Sequence, residues 1–544
     1  MKKEWIIFSI IIVIAVFFRF YQLSTLPPGL WPDEAANGVD ALKALDNCHN
    51  VSKFKCLNYF KIFYPANNGR EGLFINIQAI SVRLFGPEPW ALRFVSAIFG
   101  TLTVLGLYLL VRYLYDWRTA AIASFFLAIS FWHVNFSRIG FRAIMLPFIL
   151  VWAFYFLWQG LRTGHLKEFI TAGIIGGLGF YTYFSFRIAP LIVLVLFWTY
   201  WAHLKTHYSY SKYEQTRNQM LRNFAGLMLT VIIIALPLLF YFYAHPEDFL
   251  KREGRLISVF AQEQPFKELG LSIVKTLSMF NFTGDYNQRH NIPGWPQLSL
   301  PIGLLFAVGF LRELAHWLKR KPGHLSTVHT FLFSWFFIML LPGFLSTEAP
   351  HALRTIGVIP VVMIFAAHGF RWLMNLVLRY HNLTDPHTQA DKVIHRKESR
   401  LVITATVIIF MTSLGFWEYS RYFRIWADDP GLKEAFVQRY IDISDYLNSN
   451  PSDIPKYILV NEGDVLVDGT PNNAQTIKFL TRTHSRECSV NNNIFYLQES
   501  DLNTAQFPQR LMIIPLKDNP TLRDQLFWDF GLYPEKHNSF VIYR

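Results

Sequence analysis

Ten stretches of this chain contain no Asp, Glu, Lys or Arg, and each is close to the length that crosses a bilayer. They are residues 94–111, 119–137, 143–161, 169–186, 188–204, 223–246, 290–311, 322–347, 355–370 and 401–417. A helix needs roughly 17–25 residues to span the hydrocarbon core, where every backbone polar group must be satisfied internally. An eleventh apolar run, Trp5–Phe18, follows Met1-Lys2-Lys3. No small-residue cleavage site follows Arg19, so this run reads as a retained span with its N-terminus inside. Only 16% of the residues are charged, against about 25% in soluble domains. The expectation is a polytopic α-helical membrane protein with about 11 transmembrane helices.

The charges between these stretches fix an orientation. One set of connections is basic: Arg112 and Arg118; Arg162 and Lys167; Lys205, Lys212, Arg217 and Arg222; Arg312, Lys319, Arg320 and Lys321; and Arg371 through Arg400. They alternate with the rest and share a side with Lys2 and Lys3, so they mark the inside. The other connections, 24–93, 138–142, 187, 247–289, 348–354 and everything after 418, fall outside. The long outer loop 247–289 carries six acidic and six basic residues, a balance that suits short interfacial helices. The net charge of +13 suits contact with membrane lipids better than nucleic acid, because it is spread between apolar runs. Residues 1–420 thus form a transmembrane unit with a first outer loop at 24–93. Residues 428–544 change character. Leu432–Leu447 has helical spacing, and Tyr457–Val460, Arg510–Pro515 and Ser539–Tyr543 read as strands. A small extracytoplasmic α/β domain is expected there. Cys48 and Cys56 could pair or stay free, as spacing alone does not decide.

Charged side chains at the outer ends carry the candidate chemistry. Asp33 and Glu34 follow the stiff turn Leu26-Pro27-Pro28-Gly29-Leu30-Trp31-Pro32. An Asp after Pro is a good helix cap, and a carboxylate there can equally serve as a general base or, paired, hold a divalent metal. The short outer turns hold Arg138, Arg142, Arg187 and Arg354 and no Lys. Guanidinium groups bind phosphate through two parallel hydrogen bonds, which suits a lipid phosphate at the membrane surface. Each could instead simply snorkel to the headgroups. His133, His290 and His351 also lie near this face, and Glu348, His351 and Arg354 share one turn.

An Asp-Glu pair in the first outer loop resembles the membrane glycosyltransferases of the GT-C fold. Among these the chain is most similar to the protein O-mannosyltransferase and lipid A aminoarabinose transferase group, glycosyltransferase family 39 and its bacterial relatives. Gly69–Phe74, Leu84–Arg93, Ser137–Arg142, Tyr181–Arg187, Gly284–Gly294 and Pro350–Arg354 resemble further motifs of that group. The resemblance implies a polyprenyl-phosphate-linked sugar as donor. It implies an acceptor hydroxyl on protein, lipid or glycan, and transfer at the outer face of the cell membrane. Asp33 would be the general base with Glu34 beside it. Arg70, Glu71, Arg138, Arg142, Tyr183, Arg187, Arg289, His290, Glu348, His351 and Arg354 would bind substrate. The aminoarabinose transferases carry a second outer Asp where this chain has Arg142-Ala143-Ile144-Met145-Leu146-Pro147. That departure favours a metal-free site, with Arg142 on the phosphate, over a divalent metal held by two acids.

Two other functions compete. A transporter or flippase of lipid-linked sugar would place ionisable groups near the bilayer midplane, whereas these spans lack Asp, Glu, Lys and Arg. A structural or assembly protein would use the outer tail to bind partners.

Overall fold

The computed structural model describes residues 2–46, 60–207, 210–249, 258–319, 324–383, 389–450, 453–463, 465–504 and 507–544. Cys48 and Cys56 lie outside these residues, and so does the question of their pairing. Among the described residues eight helices are long and apolar enough to cross a membrane, three fewer than the expected eleven. The difference falls on three of the expected spans. Helix α1, Lys2–Phe20, carries charge at both ends. The stretch 119–137 breaks at Ser130 into Trp117–Ile129 and Phe131–Phe136. Only Leu166–Gly179 of the stretch 169–186 is α-helical.

Buried arginine ties the first helix to the bundle. Arg19 is fully buried and donates to the carbonyls of Ala15, Ala128 and Leu127. Unpaired carbonyls at helix ends make good partners for such a cation. Elsewhere the backbones themselves touch. A Cβ on Gly309 would lie 1.8 Å from the carbonyl oxygen of Phe365, and one on Gly369 would lie 2.0 Å from that of Leu305. Small residues let Leu300–Lys319 and Ile359–Leu383 approach this closely, because lipid supplies no hydrophobic force to press helices together.

Helix α2, Pro32–Asp46, buries eleven of its fifteen residues yet is not a span. Leu30, Ala35, Val39 and Leu42 pack on Val82 and Leu92 from the bundle and on Phe479 from the C-terminal domain. It is therefore clasped between two layers. The C-terminal domain is built on a five-stranded mixed sheet. In chain order its strands are β1 (Lys456–Leu459), β2 (Ile494–Leu497), β3 (Met512–Pro515), β4 (Pro534–Lys536) and β5 (Val541–Tyr543), arranged β2-β1-β3-β5-β4. Strands β2, β1 and β3 are parallel, and β5 is antiparallel to both β3 and β4. Strands β3 and β5 fall within two of the expected runs, β1 overlaps the third but starts one residue earlier and ends one residue earlier, and β2 and β4 fall in none. Helix α3, Gln438–Ser449, precedes the sheet, and Val437 at φ 49° separates it from Leu432–Ala435. That turn splits the single helix expected over 432–447.

Gly309→Leu would drive a side chain into the backbone of the facing helix. We expect it to cost on the order of 3 kcal/mol or more. Thermal unfolding of the purified protein in detergent, followed by size-exclusion chromatography, reads this out as a large drop in midpoint or in folded yield.

Candidate active site

Asp33 and Glu34 are neighbours in sequence but turn away from each other. Successive residues on a helix are about 100° apart, and here only Asp33 lines the cavities. Glu34 turns inward and is fully buried. Arg93 Nε donates to its Oε2 at 3.0 Å and Arg93 Nη2 to its Oε1 at 3.1 Å. The backbone N–H of Gly140 donates to Oε2 at 2.6 Å. Glu34 is therefore corrected from catalytic partner to structural anchor. The fork of Arg93 also binds the carbonyl of Gly29 at 2.9 Å.

Asp33 turns outward at the start of α2, where the helix dipole favours negative charge. Its Oδ1 accepts from Asn67 Nδ2 at 2.8 Å and Asn472 Nδ2 at 3.0 Å. Its Oδ2 accepts from the Trp31 indole at 3.2 Å. Two cavities meet at this residue. The first, of about 290 Å³, is lined by Asp33, Asn37, Asn67, Asn68, Gly69, Arg70, Phe141, Arg142, Ala143, Tyr183, Phe184, His351, Leu353 and Arg354. The second is lined by Trp31, Asp33, Phe141, Asp285, Asn287, Arg289, His290, Glu348, His351 and Leu353.

In the first cavity the cations are held by carboxylates. Arg142 Nε donates to Glu71 at 2.9 Å, and the guanidinium of Arg142 lies 5.9 Å from the Tyr183 ring centre. Arg187 and the buried Glu71, both expected to bind substrate, line neither cavity: Arg187 sits behind the wall, 3.9 Å from the other oxygen of Glu71 and packed on the rings of Phe242 and Phe249. Arg70 donates to Asn37 at 2.8 Å and pairs with Asp40. Asp33, Asn37 and Asp40 are spaced i, i+4, i+7, so they share one face of α2. That spacing was the signal in the sequence for Asn37 and Asp40. Arg354 pairs with Glu348 and donates to Ser346.

Arg138 does not join this set. It is fully buried, donates to the carbonyls of Phe18 and Leu26, and lies over the rings of Tyr422 and Phe423. Burial pulls it below the usual guanidinium range, opposed by Tyr422. Its expected role as a substrate ligand is corrected to one of fixing the turn beneath the site.

The second cavity centres on Asp285, which the sequence placed at the outer face without a role. Its Oδ2 accepts from the Ala352 N–H at 2.8 Å and lies 3.0 Å from His290 Nδ1, while Asn287 N–H binds Oδ1 at 2.8 Å. Burial raises Asp285, but His290, His351 and Asn287 together hold it below the usual carboxylate range. Burial, with His290 and Arg354, brings His351 down to about 3 against the pull of Asp285. The imidazole is then neutral near pH 7 and keeps a lone pair. Asp285, His290 and His351 each offer a ligand atom within 4.8 Å of the others, a donor set that suits a divalent transition metal. This group differs from the acidic pair the sequence suggested for a metal. Arg289 lies flat on Trp31, 3.5 Å from the ring centre, and donates to the Ala435 carbonyl at 3.4 Å. Burial lowers Arg289, while Asp33, Glu34 and Asp285 oppose that fall.

The bundle and its clasped helix have the GT-C fold of membrane glycosyltransferases. Residues 73–213 match the family described as dolichyl-phosphate-mannose-protein mannosyltransferase. YkcB of Bacillus subtilis (strain 168), which carries a mannosyltransferase name, is 25% identical over 201 residues. That match takes in 36% of this chain and 26% of YkcB's own length. ArnT from Cupriavidus metallidurans, solved with undecaprenyl phosphate, superposes with TM-score 0.58 at 13% identity, over 100% of this chain and 98% of ArnT. The oligosaccharyltransferase of Archaeoglobus fulgidus superposes with TM-score 0.51 at 13% identity, over 96% of this chain and 70% of its own.

Glu34→Ala would leave the Arg93 fork buried without its carboxylate, at a cost of about 3–5 kcal/mol. Asp33→Asn keeps the outward oxygen and should stay within about 1 kcal/mol of the parent. Thermal unfolding of the two variants, side by side, should separate anchor from candidate base.

Proposed function

We propose that this chain is a glycosyltransferase. It moves a sugar from a polyprenyl-phosphate-linked donor to an acceptor hydroxyl at the outer face of the cell membrane. The observation that carries this reading is the position of Asp33 on the shared wall of two cavities, one of which is lined by several guanidinium groups. A lipid phosphate of the class bound by ArnT suits the first cavity, where Arg142 and Arg354 supply donors. The acceptor hydroxyl approaches from the second.

Asp33 takes the hydroxyl proton as the acceptor oxygen attacks the anomeric carbon. The bond from that carbon to the phosphate oxygen breaks, and its electron pair leaves with the polyprenyl phosphate. Guanidinium groups held in place by Glu71 and Glu348 meet the developing charge without reorganising far. One displacement inverts the anomeric centre. If a metal occupies the Asp285, His290 and His351 group, it adds a fixed positive charge beside the same cavity. A flippase is not favoured, because the charged cluster gathers at the end of the bundle that meets the C-terminal domain rather than at mid-depth.

Asp33→Asn should abolish release of polyprenyl phosphate, assayed with lipid-linked sugars in membranes, while expression and folding persist. Arg142→Lys keeps the charge but loses the planar fork, and a loss of about tenfold in kcat/KM for the donor is expected. Undiminished turnover by Asp33→Asn removes that residue from the mechanism.

A further inference from the structure

The C-terminal domain reaches the site through one amide. Asn472 lies between the strand residues Thr470–Pro471 and the helix Gln475–Leu480. It donates to Asp33 across 439 residues of chain. An ionised carboxylate only accepts, so the amide must present its NH₂ group. Its own oxygen is then buried and, among the described residues, unpartnered. Docking does not require this contact. Thr476 donates to the Leu30 carbonyl at 2.9 Å, the Gly29 N–H donates to Gln438 at 2.7 Å, and Phe479 packs on Gly38. None of these touches Asp33.

We infer that Asn472 is a positioning residue for the Asp33 base, so that the C-terminal domain completes the catalytic site rather than covering it. This rests on the reading of Asp33 as the base. Asn67 and Asn472 converge on one carboxylate oxygen while Trp31 holds the other. Three donors from three segments fix the plane of the carboxylate and stabilise its charge. Removing one loosens the base without altering the cavity that takes the lipid phosphate.

The test uses purified full-length protein, with the lipid-linked sugar fraction of the same cells as donor and polyprenyl phosphate release as readout. Asn472→Ala should lower kcat about tenfold and leave KM for the donor within about twofold. Asn472→Gln, which keeps an amide donor, should recover much of that loss. Asn472→Asp is nearly isosteric but sets a like charge on Asp33, so a fall above about a hundredfold is expected. Thr476→Val weakens docking alone and should leave kcat within about twofold. Equal losses in Asn472→Ala and Thr476→Val, or parent-like turnover in Asn472→Asp, overturn the inference. If Asp33→Asn is dead while Asn472→Ala matches the parent, only the role of Asn472 fails. If Asp33→Asn is active, the base assignment fails and takes this inference with it.

Discussion

The buried pair of Glu34 and Arg93 holds together the end of the bundle that meets the C-terminal domain. Two charges removed from water are costly unless their hydrogen bonds are met, and here they are. Arg93 at the start of a bundle helix grips Glu34 on the clasped helix and a carbonyl of the stiff turn before it. Gly140 adds its N–H from a third segment. Because Glu34 is locked inward, the residue before it is turned outward. The catalytic candidate is aimed by its neighbour.

The same logic runs through the cavity that meets Asp33. Each guanidinium there is already opposed by a carboxylate: Arg142 by Glu71, Arg354 by Glu348 and Arg70 by Asp40. A cluster of bare cations at the end of a bundle would repel itself. Paired cations avoid that repulsion and stay oriented, and an incoming phosphate then completes a network instead of building one. On the proposed function, Glu71 is as important as the arginines it holds, although no part of it needs to touch the donor.

Much of this was legible in the sequence, for a physical reason. The bilayer forces long apolar runs with charges between them, so the membrane bundle and the gathering of charged residues at one end of it follow from composition and order. The Asp-Glu pair and the motifs with Arg142, Tyr183, His351 and Arg354 were visible in the same way. What could not be read was direction. Arg138 and Arg142 sit in one short turn, yet one is sealed beneath the site and the other lines it. Asp285 gained its place only through contacts with Ala352 and two histidines. Asn472 lies in a stretch where neither helical nor strand periodicity stands out. The spans at 119–137 and 169–186 looked continuous because a charge-free run hides a break at Ser130 and beyond Gly179.

The contact between Asn472 and Asp33 also sets an order of assembly. Asp33 precedes the eight candidate spans among the described residues, while Asn472 follows them all. A chain made from its N-terminal side therefore carries this carboxylate past all of those spans before its third donor is made. The site reaches its final hydrogen-bonding only when the segment that carries Asn472 has folded against α2. Without the segment that carries Asn472, Asp33 would keep the indole of Trp31 and the amide of Asn67 and lose its third donor.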